Sequence, residues 1–434
     1  MGLGLAGFQV CARSCLPFME ISRRIPLAWI CPPRVCMAGF KRKMKVKISQ
    51  RAASLAPSLT LAISAKAKQL RAAGQDVIGF GAGEPDFDTP QPIKDAAITA
   101  LQDGFTKYTP ASGIPELKEA IVEKFQRDNG LNYSSSQIIV SCGGKHACYN
   151  IMMALCDAGD EVIIPAPYWL SYPEMVKLAG GNPVILETTD ATQFKVTPDQ
   201  LEAAITDKTR LFILNSPSNP TGTVYSPEEI KALGDVCVSR GILILSDEIY
   251  EHLVYGDAVH RSVASFSPEH QDHTILTHGL AKAWSMTGWR LGFMAAPEPI
   301  AKAINAIQSH STSNPTSFAQ KGGVEALRGS QDHLKSWLPE FDRRRRFAHE
   351  QLASMPGVSC VNAQGAFYLF PNISATGLSS SVFCERLLEE AQVAAVPGIA
   401  FGSDAYLRIS YATSMENLEK GMERMARFVS SLQG

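Results

Sequence analysis

The chain has 434 residues, 45% hydrophobic and 19% charged, with 41 Lys and Arg against 42 Asp and Glu for a net charge of −1. That length allows about two to three domains, and the composition is ordinary for a globular protein. So even a charge balance argues against a nucleic-acid partner and against a disordered acidic chain; with no run of about 18 apolar residues, no membrane span is expected.

In chain order, the first 43 residues stand apart. Glu20 is their only acid against seven Lys or Arg, and Pro17, Pro26, Pro32 and Pro33 interrupt any periodicity. Such a segment is either an organelle transit peptide, typically Arg-rich and acid-poor, or an upstream extension with Met37 or Met44 as the first residue. The extension is preferred, which places the protein in the cytoplasm; a genuine transit peptide implies organelle import instead. Cys11, Cys15, Cys31 and Cys36 fall here. The other six cysteines are scattered without metal-ligand spacing, so buried thiols in a reducing compartment are expected, with neither a disulfide framework nor a metal site.

Residues 44–88 are read as an N-terminal arm and part of a smaller domain. Residues 89–329 are read as a large domain of alternating pattern. β-rich runs recur at Ile138 to Val140, Glu161 to Ile164, Pro183 to Leu186, Leu211 to Leu214, Ile242 to Leu245 and Thr274 to Thr277. Segments of helical period lie between them, such as Lys145 to Cys156, Tyr172 to Leu178 and Pro227 to Arg240. Short apolar strands alternating with helices specify an α/β fold, a mostly parallel central sheet with helices on both faces. Residues 330–434 read as a smaller α+β domain with a hairpin-like stretch from Gly365 to Phe370 and a strand from Ala405 to Tyr411. Arg343 to Arg346 point in all directions if helical and read as a solvated helix with one or two salt bridges.

Ligands of such sheets bind at the carboxyl ends of the strands, and each chemically suggestive motif follows a β-rich run. Gly143-Gly144-Lys145 opens a helix, where free N–H groups and the helix dipole favour an anion; a plain glycine turn fits equally well. Asn219 lies in a turn constrained by Pro217, Pro220 and Gly222, which makes its amide rigid, although a tight solvent loop has the same composition. Asp247 ends an apolar run, and a buried carboxylate needs a cation; Tyr250 follows three residues later. Lys282, among small and apolar neighbours, is a candidate low-pKa amine able to form a Schiff base with a carbonyl compound. Arg290, eight residues on, can hold a phosphate bidentately. As a lone pair, Lys282 and Arg290 fit two surface residues flanking a turn.

Taken in order, these pieces resemble the fold-type I (class I) pyridoxal-phosphate-dependent aminotransferases, in the bacterial-type aspartate aminotransferase branch. The resemblance runs from about Met44 to Ser431 through Gly83-Glu84-Pro85-Asp86-Phe87, Lys107-Tyr108, Gly143-Gly144-Lys145, Pro167-Tyr168-Trp169, Asn219-Pro220-Thr221-Gly222, Ser246-Asp247-Glu248-Ile249-Tyr250, Lys282 with Arg290, and Leu407-Arg408-Ile409-Ser410-Tyr411. It implies a homodimer with a shared site that uses pyridoxal 5′-phosphate and exchanges amino groups between amino acids and 2-oxo acids. Lys282 would hold the cofactor and act as general base. Asp247 would keep the pyridine nitrogen protonated, Tyr250 and Asn219 would bond the phenolic oxygen, and Trp169 would stack on the ring. Gly143, Gly144, Lys145 and Arg290 would hold the phosphate, with Tyr108 reaching the neighbouring subunit's copy. Arg408, with Gly83 and Asn219, would take the substrate α-carboxylate. Lys145 and Thr60 would take the distal carboxylate of aspartate. Aromatic amino acids, alanine and prephenate are the alternative substrates; Ala56 stands where prephenate users tend to carry Lys, which lowers the expectation for prephenate.

Overall fold

The computed structural model describes residues 46–55 and 59–432, without the side chains of residues 59–61 and 64. The N-terminal extension with its four cysteines, and residues 56–58, lie outside the described residues. The described strands, in chain order, are β1 (Ile78–Gly79), β2 (Ile138–Ser141), β3 (Glu161–Ala166), β4 (Asn182–Glu187), β5 (Thr209–Asn215), β6 (Leu243–Asp247), β7 (Thr274–Gly279), β8 (Gly292–Ala295), β9 (Tyr368–Leu369), β10 (Val393–Ala394), β11 (Val396–Pro397) and β12 (Leu407–Ser410). Seven of them form one sheet in the order β2-β8-β7-β6-β5-β3-β4. All its pairings are parallel except those of β8, which opposes both β2 and β7.

The β-rich runs became strands because both sheet faces are covered, so nearly every residue of a central strand is apolar and buried. On one face Ile164, Ile213, Leu245 and Ile275 pack with Ile151 and Met152 of the helix Gly144–Leu155. On the other, the alternate residues Phe212, Leu214 and Ile244 pack with Ile230 and Leu233 of the helix Pro227–Arg240. That helix begins where Ser226 and Glu229 form a reciprocal capping box and ends at Gly241, whose φ of +66° a side chain rarely adopts. The strand β8 escapes the sequence pattern, since Gly-Phe-Met-Ala has neither alternation nor a β-branched residue.

A separate core joins Ile78 and Phe80 to Phe341, Phe367, Leu387, Leu407 and Met422. Here β1 pairs with β10, and β11, β12 and β9 form a small antiparallel sheet. Two expectations change. The stretch Gly365 to Phe370 is no local hairpin: Gly365 bridges Val254 and its N–H donates to the Gly222 carbonyl at 2.8 Å. Its local partners are thus taken, and Tyr368 pairs instead with Ser410 in β12. The four arginines are not all solvated either. Arg343 and Arg346 are exposed, but Arg344 reaches Asp86 and Glu340 at 2.7 and 2.8 Å, and Arg345 bonds Asp342 at 2.6 Å; both are buried. The six described cysteines are free thiols.

The segment after β6 has two faces. Asp247 and Tyr250 point to the cleft described below, whereas Glu248 and Glu251 are buried behind it. Glu248 accepts hydrogen bonds from Ser246 and Ser262 at 2.8 and 2.7 Å and lies 3.0 Å from His260. Glu251 is ion-paired with Lys124, the last residue of the helix Pro115–Lys124, and its Oε1 lies 3.1 Å from both His252 and His278. Although carboxylates and imidazoles cluster here closely enough to hold a metal, the Lys124 ammonium already supplies the cation. Burial opposes the charge on Glu251, but Lys124 and His278 outweigh it and hold the carboxyl well below its usual range. Removing one partner of a buried ion pair costs about 3–5 kcal/mol. Lys124→Met is therefore expected to destabilise the chain by about that amount in denaturant unfolding at neutral pH. The deficit should shrink in acid, where Glu251 is protonated and the wild-type pair is lost as well.

Candidate active site

Strand register assembles the floor of the site. Asn215 closes β5 opposite Asp247 at the end of β6, and Asp247 lies opposite Thr277 in β7. Above them opens a cleft of about 640 Å³ lined by Gly83, Gly144, Lys145, Trp169, Asn219, Asp247, Tyr250, Lys282, Arg290 and Arg408. The antiparallel β8 explains how Lys282 and Arg290 meet there. Gly279 at the end of β7 pairs with Gly292 at the start of β8, so the intervening chain leaves and re-enters the sheet at the same end of these two strands.

Lys282 is half-buried as a residue, but its amine lies deep in the cleft. Its Nζ donates to the Gly83 carbonyl and stands 5.6 and 5.7 Å from the rings of Tyr250 and Phe367. Burial, reinforced by Arg408 and opposed by Glu84 and Asp247, brings its pKa down to about 8. A neutral amine is thus accessible near physiological pH, as a nucleophile or base requires.

Asp247 is buried, and that burial raises its pKa. The Tyr172 hydroxyl donates to its Oδ2 at 2.6 Å, the Ile249 N–H reaches Oδ1 at 3.3 Å, and the Cys148 thiol lies 4.0 Å from Oδ2. Tyr172 and Cys148 were not expected from sequence. Tyr172 stands three residues after Trp169 at the start of the helix Ser171–Ala179, and the two rings meet edge to face at 5.1 Å. A turn leads from Trp169 into that helix, the Tyr172 N–H donating to the Trp169 carbonyl at 3.0 Å.

The anion cup is built by close approach of backbone. A Cβ on Gly292 would lie 2.2 Å from the Gly144 nitrogen, and Gly143 sits at φ +90° where a Cβ would strike the Arg290 guanidinium at 2.4 Å. Gly144 begins its helix, so unpaired N–H groups face the cleft. The guanidinium of Arg290 is steadied by the Thr287 carbonyl at 2.9 Å. Lys145 is exposed along its stem, but its ammonium stands 5.0 Å from the Trp169 ring, and desolvation followed by repulsion from Arg290 lowers its pKa.

Arg408 in β12 is buried. One arm donates to Asn219 Oδ1 at 3.0 Å and the other to the Gly81 carbonyl at 2.9 Å, while its Nε has no partner. Gly83 lines the same cleft, and its carbonyl receives Lys282. Asn219 is fixed in turn by Asn215, which accepts from the Asn219 N–H at 2.9 Å and donates to the Asp247 carbonyl at 3.0 Å. Tyr108 is 93% exposed and lines no part of the cleft of the single chain. Thr60 belongs to the helix Leu59–Ala72, its side chain outside those described.

A lysine of lowered pKa, a buried carboxylate, an anion cup and a buried arginine facing one cleft match a known family. The family model for aminotransferases of class I and II matches residues 75–425. The chain belongs to this family. It is 53% identical over 391 residues to an aspartate aminotransferase of Geobacillus stearothermophilus, covering 89% of this chain and 100% of that one. It is 46% identical to an aspartate/prephenate aminotransferase of Nitrosomonas europaea, covering 89% and 100%. A solved aspartate aminotransferase of Thermus thermophilus, with maleate, superposes with a TM-score of 0.85 at 44% identity, covering 88% and 99%. The protein is a pyridoxal-phosphate-dependent aminotransferase of the fold-type I, aspartate aminotransferase branch.

The residues of this aminotransferase fit that cofactor. The helix N-terminus at Gly144 and Lys145 and the Arg290 guanidinium line one cleft, a combination that suits phosphate oxygens. The raised pKa of Asp247 marks a carboxylate that lacks a full countercharge, and a protonated pyridine nitrogen supplies one. Lys282, with its accessible neutral amine, can take the carbonyl.

Proposed function

We propose that this aminotransferase moves the amino group of L-aspartate to 2-oxoglutarate, giving oxaloacetate and L-glutamate, with pyridoxal phosphate carried on Lys282. The observation that carries the substrate assignment is a second cation: beyond Lys282 and the phosphate-holding Arg290, the cleft contains both Arg408 and Lys145. One carboxylate common to all amino acids needs only one of them, and a dicarboxylate uses both.

The cofactor, when bound, supplies the sink for electrons released at the substrate α-carbon. The chain's own groups do the rest. Arg408 clamps the α-carboxylate with a planar fork, its free Nε adding a donor and its arm to Asn219 keeping the fork in plane. The Lys282 amine holds the α-proton in transit. Asp247 would keep a proton on the ring nitrogen. Tyr250 and the Asn219 amide would donate to the ring oxygen, and Trp169 would cover one ring face. The helix N-terminus at Gly144, with Arg290, would hold the phosphate. A homodimer belongs to the same reading, since Tyr108 is free to enter a neighbouring copy's cleft.

Mixing the purified enzyme with single amino acids and following the cofactor's visible absorbance tests the assignment. Aspartate and glutamate should react fast, alanine and phenylalanine slowly. Lys145→Ala should lower kcat/KM for the two dicarboxylates by about 10–100-fold, the worth of one charge-assisted contact, while changing alanine by less than about threefold. Equal loss for all would confine Lys145 to the cofactor. Prephenate remains the second reading, favoured by the aspartate/prephenate relative above; it too carries two carboxylates, and the same assay with prephenate as acceptor decides it.

A further inference from the structure

Tyr368 has no place in the reading above, yet it is fully buried and lines the cleft. It sits in β9, opposite Ser410 of the strand that carries Arg408. Its hydroxyl lies 2.8 Å from that of Tyr250. Its ring lies beneath the Arg408 guanidinium, 4.5 Å from ring centre to cation. A Cβ on Gly83, whose carbonyl receives Lys282, would come within 3.4 Å of the same hydroxyl. One side chain thus touches the groups assigned to the substrate carboxylate and to the cofactor's ring oxygen.

We propose that Tyr368 is a positioning residue that donates its hydroxyl proton to Tyr250, aiming the Tyr250 proton at the cofactor's ring oxygen while its ring supports Arg408. This rests on the placement of the cofactor given above. Between two phenols either can donate; the neighbouring cation decides. Burial raises both phenols and Arg408 opposes it at both, but the cation lies over the Tyr368 ring, 4.5 Å from its centre, and acidifies that phenol most directly. Tyr368 is the better donor and Tyr250 the better acceptor, so the Tyr250 proton is left for the cleft. Chained hydrogen bonds polarise one another, and Tyr250 becomes a stronger donor to the ring oxygen than an isolated phenol.

The consequence is measurable in the holoenzyme. Negative charge on the ring oxygen keeps a proton on the adjacent conjugated nitrogen, and a donor to that oxygen disperses the charge and lets the proton leave at lower pH. Tyr368→Phe removes the hydroxyl and keeps the ring. The pH midpoint of the cofactor's visible band should rise by about half a unit to one unit, with the KM for aspartate changed less than about threefold. Tyr368→Leu removes the ring as well and should raise KM for every amino acid by about tenfold, the worth of a desolvated cation–ring contact. A Tyr368→Phe midpoint equal to that of wild type overturns the proposal, as does a Tyr368→Leu enzyme with unchanged KM. A merely structural Tyr368 would change melting temperature without moving the midpoint. Failure of the cofactor placement itself is seen separately, as a wild-type enzyme without a titrating visible band.

Discussion

Lys282→Ala is expected to lower kcat/KM by at least about 10⁴-fold, because it removes both the covalent anchor and the proton carrier. The fold should survive. Its surroundings in the cleft are the Gly83 carbonyl and the rings of Tyr250 and Phe367, none of which depends on the amine for its own placement. The same burial has a stability signature. The folded pKa of about 8 lies below the ordinary 10.5, so unfolded chains bind more protons between those values and stability rises with pH across that window. Below about pH 8 the buried ammonium is a standing penalty of up to about 3 kcal/mol. Cofactor-free Lys282→Met should therefore melt above the cofactor-free wild type at pH 7, and the difference should close as pH passes about 10. A mutant that turns over at the wild-type rate removes the mechanism. A melting difference that stays flat with pH removes the electrostatic account of Lys282 and leaves the chemistry standing.

The second large effect is at Asp247. Asp247→Asn keeps the shape and deletes the charge, leaving the ring nitrogen without its buried partner. Loss of a buried charge pair is worth about 3–5 kcal/mol, so kcat/KM should fall by about 10² to 10⁴-fold. Tyr172→Phe removes only the hydroxyl that donates to Asp247 at 2.6 Å. A hydrogen bond to a charged group is worth about 1.5–3 kcal/mol, which sets a smaller loss of about 10–100-fold. The order is the test: if Tyr172→Phe is as damaging as Asp247→Asn, the tyrosine does more than orient the carboxylate, and if Asp247→Asn is mild the ring nitrogen needs no buried charge here.

Much of this was readable from local pattern. The β-rich runs ending at Leu214, Leu245 and Thr277 marked strands, and motifs that follow the carboxyl ends of such strands converge by topology. What escaped depends on long-range pairing. Tyr172 meets Asp247, 75 residues away, and Tyr368 meets Tyr250, 118 away; no spacing rule links them. The strand β8 escaped because its residues carry no β signature, yet its pairing with β7 holds Arg290 at the same end of the strands as Lys282. Arg344 and Arg345 looked like part of a solvated charge run, since Asp86, the distant partner of Arg344, and Asn362 and the Ala363 carbonyl, those of Arg345, reach them only once the chain has folded. Lys124 and Glu251 were hidden for the same reason.

The two faces of residues 247–251 bear on how this scaffold can be altered. Its reactive face and its anchoring face belong to one short stretch, but their partners are disjoint. Asp247 and Tyr250 answer to Tyr172 and Tyr368, and Glu248 and Glu251 answer to Lys124, Ser262 and a ring of histidines. Chemistry and anchorage are therefore separable coordinates for directed change. Shape-conserving changes at the front pair, such as Asp247→Asn and Tyr250→Phe, should return folded chains of altered reactivity, whereas neutralising changes at Glu251 in the rear pair should return chains that fold poorly. The segment acts as a fixed hub on which reaction type can drift while the architecture stays in place.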